Sequence, residues 1–171
     1  MRWSTGILAA SLVFFNMIGS AQAFDKASYV KLAESIIQTA ISGKVDDVDG
    51  MIGDLHKLVG MGKQGCSEFG ADHPEHAKMM KLVVDNAGAM GKMGLEEIEV
   101  QWHDAEFLTS NGIDVDAIDH FSPALSFMDS VVHPATSIIV MQEYKKSPSG
   151  SKLGQVKDEL SEVLEHMDHI H

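Results

Sequence analysis

Apolar residues recur every three or four positions in each long segment of this chain, and that period dictates helices. Tyr29, Ala33, Ile36 and Ala40 follow it, with Val30, Ile37 and Ile41 beside them. Val48, Ile52, Leu55 and Val59 form a second seam, and Met80, Val83, Ala87 and Met90 a third. Leu95, Ile98, Trp102, Ala105 and Leu108 make a fourth, and Leu125, Met128, Val132, Ala135 and Ile139 a fifth. The last comprises Leu153, Val156, Leu160, Val163, Leu164 and Met167. No convincing run alternates apolar and polar residues, as a half-buried strand would. The joining stretches are short enough for antiparallel neighbours. The expectation is an all-α fold: an antiparallel helical bundle of four main helices with one or two extra short helices.

Local signals set the boundaries. Helices are expected over 25–42, 45–61, 74–90, 95–110, 122–144 and 151–167. Gly43 is a natural stop, Asp46, Asp47 and Asp49 suit a first turn, and Ser122-Pro123 pairs a cap with a good first residue. Gly60 to Ala71 is glycine-rich and reads as a loop. Pro134 removes a backbone donor and crowds the preceding turn, which predicts a kink or break there.

The N-terminus reads as a secretory leader. Arg2 supplies positive charge, Gly6 to Ile18 is apolar, and Ala21-Gln22-Ala23 is a small-residue cleavage site. The apolar run is short for a bilayer span. Cleavage after Ala23 is expected, giving a leader over 1–23 and a single domain over 24–171, periplasmic or secreted, with no stable membrane span.

The mature chain would hold 12 basic residues, since Arg2 leaves, against 25 acidic ones, a net charge near −13. Such a surface repels phosphate backbones and excludes nucleic acid as the expected partner; a cation or a basic periplasmic protein fits better. A dimer is compatible with the sequence. Cys66 is the only cysteine, so no internal disulfide can form, and without Cys-x-x-Cys-His covalent haem is excluded.

Chemistry is carried by histidine and methionine. All nine histidines lie beyond residue 23, with nine of the eleven methionines. The densest stretch, Cys66 to Met93, holds Cys66, His73, His76, Met79, Met80, Met90 and Met93. His76 and Met80 stand one turn apart on an otherwise apolar stripe, a spacing that suits a metal or haem ligand pair. His56 lies between glycines, which let a neighbour approach. His103 shares a stripe with Glu99 and Glu106, carboxylates able to orient its ring. His133 adjoins Pro134. These three are the candidate further ligands, because a pair on one helix holds a metal only weakly. His166, His169 and His171 sit at an end expected to fray.

Imidazole suits copper, zinc and iron, and thioether suits copper(I). The leading expectation is therefore an exported bundle binding a transition metal, copper favoured, or a non-covalent b-type haem. The alternative is a periplasmic interaction or assembly-factor protein without a cofactor. No nucleophile–base constellation is legible, so catalysis is the weakest expectation.

Overall fold

The computed structural model describes residues 23–170. Residues 1–22, which hold all but the last residue of the leader expected over 1–23, and the terminal His171 lie outside the described residues. Among those described, the protein is all-helical, with five long helices and no strand. The long helices are α1 (Lys26–Ile41), α2 (Val48–Asp72), α3 (Ala77–Met90), α6 (Pro123–Lys146) and α7 (Gly150–Met167). Between α3 and α6 lie two short ones, α4 (Leu95–Ile98) and α5 (Glu106–Ser110), separated by a π-helical turn, and a single 3-10 turn at Val115–Ala117.

Caps start the helices where the sequence provides acceptors. Asp25 accepts from the Ser28 amide at 3.0 Å and Asp47 from the Gly50 amide at 2.8 Å, each satisfying an orphan donor of the first turn. α1 stops at Gly43, whose φ of +72° a glycine adopts without strain.

α6 is the centre. It packs against α2, α3 and α7, while α1 lies across α7 and α2. Every residue from Ala124 to Met141 is buried. By length and composition α6 could cross a membrane, but its apolar window is wholly covered by the protein's own helices.

The glycine-rich stretch from Gly60 to Ala71 is the first correction. It is helical and extends α2 to Asp72. Gly62 and Gly65 serve a close approach to α6. A Cβ on Gly62 would stand 2.4 Å from the Ser130 carbonyl oxygen, and one on Gly65 would stand 2.6 Å from the Phe127 ring. Packing against α6 offsets the propensity cost of about 1 kcal/mol per glycine.

The break expected at Pro134 is the second. α6 runs through that residue unbroken from Pro123 to Lys146. Proline lacks the N–H that would bond the carbonyl four residues back, which is that of Ser130. The Tyr29 hydroxyl from α1 donates to this carbonyl at 2.9 Å. A buried orphan acceptor is thereby satisfied from another helix, and the break is avoided.

The third concerns the helix expected over 95–110. It is divided by the π turn at Glu99–His103 and by Ala105, a non-glycine residue at φ +58°. The stripe of Glu99, His103 and Glu106 does not form as a continuous helix face.

Candidate metal centre

His103, His133 and Glu159 arrive from three different elements. The π turn carries His103, with the Asp104 amide donating to the Glu99 carbonyl at 2.9 Å, five residues back. The extra residue in that turn and the left-handed Ala105 re-aim His103 towards α6 and α7. π turns and strained non-glycine backbone both concentrate at functional sites. α6 carries His133 on a polar stripe, Asp129, His133 and Thr136, at spacings of four and three. α7 carries Glu159 and, seven residues on, His166.

One donor atom from each of His103, His133 and Glu159 lies within 4.8 Å of the others. His133 Nδ1 is 2.8 Å from Glu159 Oε2, and His103 Nε2 is 3.9 Å from the same oxygen. The two imidazole rings meet edge to face, centroids 4.9 Å apart. Donors around one tetrahedral ion at bond lengths near 2.0–2.1 Å stand roughly 3.3 Å apart. The two observed separations bracket that value, so the group could hold a metal ion.

Each of these ring nitrogens has a hydrogen-bond partner within the protein. His133 Nδ1–H donates to Glu159. The Thr136 hydroxyl donates to the Val132 carbonyl, so His103 Nε2–H donates to Thr136 Oγ1 at 3.0 Å. A metal would displace both protons.

Behind His133 the polar stripe continues. Asp129 Oδ1 is 4.0 Å from His133 Nε2, and Asp129 Oδ2 accepts from His166 Nδ1 at 2.5 Å. His166 meets the exposed His120 edge to face at 5.0 Å. Imidazole and carboxylate thus alternate from the metal group towards the surface. Burial pulls the His133 pKa down, but the Glu159 hydrogen bond and the charges of Asp129, Glu159 and Glu162 outweigh it and raise the pKa above its ordinary value. The Asp129 hydrogen bond raises that of His166, against the opposing effect of burial.

The structure brings together two of the sequence candidates, His103 and His133. The others lie apart from this group. His76 stands at the start of α3 without a side-chain cap and stacks on Phe69 with ring centroids 5.7 Å apart. Met80 is a core side chain, 1 % exposed, whose Cβ sits beside Gly70. His56 lines a surface hollow of about 250 Å³ with Val59, Lys63 and Ala87. Cys66 is buried and donates to the Phe127 carbonyl. His166 belongs to no frayed end: it is buried in α7.

Glu159 and Asp129 were missed by sequence reasoning, and His166 was set aside as part of a frayed end. One signal was present for Asp129: an acid within the most apolar helical run of the chain. An acid there has to find a partner, because an unpaired buried charge is too costly. Glu159 carries no comparable mark. Comparison with family models, with curated proteins and with solved structures returned no match.

Proposed function

We propose that this protein is an exported helical-bundle protein that binds a divalent transition-metal ion through His103, His133 and Glu159. The observation that carries the reading is the convergence of those three donors from the π turn, α6 and α7. Two imidazoles and one carboxylate suit zinc, iron(II) and copper(II), and in the usual affinity order copper(II) binds such a set most tightly. Copper therefore stays the favoured ion. The set is harder than the thioether-rich one that copper(I) prefers, and Met80 contributes to the core instead. A b-type haem needs a flat cavity beside its axial ligand, whereas the His103 and His133 rings pack on each other. Asp129, facing the far nitrogen of His133, would orient that ring, as outer-sphere carboxylates commonly do. The long helices α6 and α7 supply rigid mounts, and the acidic composition favours cation approach.

One observation favours the cofactor-free reading, a periplasmic interaction or assembly factor. His133 and Glu159 already satisfy each other without an ion. The experiment that separates the two is elemental analysis of untagged protein purified from the export compartment, followed by metal titration. The metal reading expects near-stoichiometric copper, zinc or iron, lost in His133→Ala and Glu159→Gln and kept in His76→Ala and Met80→Leu. No bound metal, and no uptake on titration, overturns it.

A further inference from the structure

Phe24, just ahead of α1, is seated in the fold by both its backbone and its ring. Its backbone nitrogen donates to Glu68 Oε2 on α2 at 2.8 Å. Its ring meets Phe127 edge to face with centroids 5.5 Å apart and tilts against Tyr29 at 6.0 Å. Gly65 makes room for this, since a Cβ there would stand 3.2 Å from the Phe24 ring. One residue back, Ala23 is exposed and non-helical. The Ala23–Phe24 peptide bond therefore marks the border between accessible chain and seated chain.

Glu68 is the unusual partner. Its carboxylate is half-buried, and the donors it receives among the described residues, the Phe24 N–H and Gln64 Nε2 at 3.1 Å, are both neutral. The nearby Lys26 spends its ammonium on the Ile170 carbonyl instead. A half-buried carboxylate gains more from a cationic donor than from a neutral amide, because the ion pair adds direct charge attraction to the hydrogen bond. A cation at the position of the Phe24 nitrogen would supply it.

We propose that a signal-peptidase-type endoprotease hydrolyses the Ala23–Phe24 bond and that the resulting α-ammonium of Phe24 pairs with Glu68. Water adds across the amide, and Ala23 departs with the new carboxylate. The Phe24 nitrogen keeps its electron pair and takes up protons to become the ammonium. Ala21 and Ala23 provide the small side chains such a protease requires. Processing thus replaces a neutral donor to the Glu68 carboxylate with a cationic one, turning the hydrogen bond into an ion pair that holds the start of α1 on α2. The seat lies at the α1–α2 end of the molecule and is independent of metal binding.

The test combines mass and stability. The full chain is expressed with export, and its intact mass is measured; the mass of residues 24–171 is expected. Glu68→Gln is then compared with the parent in two forms: the processed chain, and a cytoplasmic form keeping Gln22-Ala23 ahead of Phe24. In the processed form the substitution should lower Tm by about 2–4 °C, as expected for a loss near 1 kcal/mol in a chain of this size. In the extended form it should lower Tm by less than half as much. The α-amine of the processed parent should also be acylated several-fold more slowly at neutral pH than that of its Glu68→Gln variant. A different N-terminus, equal Tm losses in the two forms, or equal acylation rates would each overturn the proposal.

Discussion

His133 and Glu159 are 26 residues apart in sequence, yet His133 Nδ1 lies 2.8 Å from Glu159 Oε2 across the α6–α7 interface. That contact makes His133 part of a three-donor group, and Asp129 stands behind it facing the other ring nitrogen. Asp129→Asn should therefore weaken metal binding by about 10–100-fold, the usual effect of removing an outer-sphere carboxylate, while leaving one ion per chain at saturation. Competition titration against a chromophoric chelator measures it. An unchanged affinity would show that Asp129 serves only His166.

The Asp129–His166 pair sets a pH dependence for the metal-free protein. His166 and His133 both have pKa values raised above the ordinary imidazole range in the folded state. A raised folded pKa contributes stability that is full below the unfolded value and is lost as pH rises through the folded value. Denaturant midpoints with chelator present should thus fall as pH climbs above about 6.5. Asp129→Asn should flatten that decline at His166. A midpoint that rises over the same window would refute the assignment.

Tyr29 and Pro134 should be energetically coupled, because the Tyr29 hydroxyl donates to the Ser130 carbonyl that the proline leaves without its helix donor. Tyr29→Phe should cost about 1–3 kcal/mol, because it leaves a buried acceptor unsatisfied. In a Pro134→Ala background the alanine N–H can reach that carbonyl, and the cost of Tyr29→Phe should shrink. A double-mutant cycle by urea denaturation reads the coupling. Strict additivity would mean that the hydroxyl does not compensate for the proline.

Two glycines of α2 should respond oppositely to alanine. At Gly62 the new Cβ would meet the Ser130 carbonyl oxygen at 2.4 Å, so helices must separate, at a cost of about 1–3 kcal/mol. At Gly60 nothing lies within 4 Å, and alanine should stabilise by about 0.5–1 kcal/mol through helix propensity. Thermal melts of the two variants decide it. A Gly60→Ala protein that is less stable would argue that the stretch is not helical in solution.

Cys66 should be inert in the native protein. Burial, with the charge of Asp129 adding to it, pushes its thiol up to about 12. The thiolate, not the thiol, attacks disulfide reagents. A thiol-reactive dye at pH 8 should label the unfolded chain fully and the folded chain at a rate set by opening. Rapid labelling of the folded chain would contradict its burial.

Helix class and most of the core were legible in the residue order alone. The stripes Tyr29–Ala40 and Leu153–Met167 are buried as their period requires, because a helix presents one face every 3.6 residues whatever it packs against. Asp25, Gly43 and Ser122-Pro123 also act locally, and they stop or start helices where the sequence places them. His103 and His133 stood out as candidate donors by residue type and neighbours. The remaining features depend on which faces meet, and a period does not encode that. Gly62 and Gly65 look like loop residues until α6 lies against them. Pro134 looks like a break until the Tyr29 hydroxyl reaches the carbonyl it orphans. The π turn that aims His103 carries no propensity signature, and Glu159 becomes a donor only when α7 docks on α6. A buried acceptor or carboxylate must be satisfied by whatever group the packing delivers, and in this protein only the tertiary structure chooses that group.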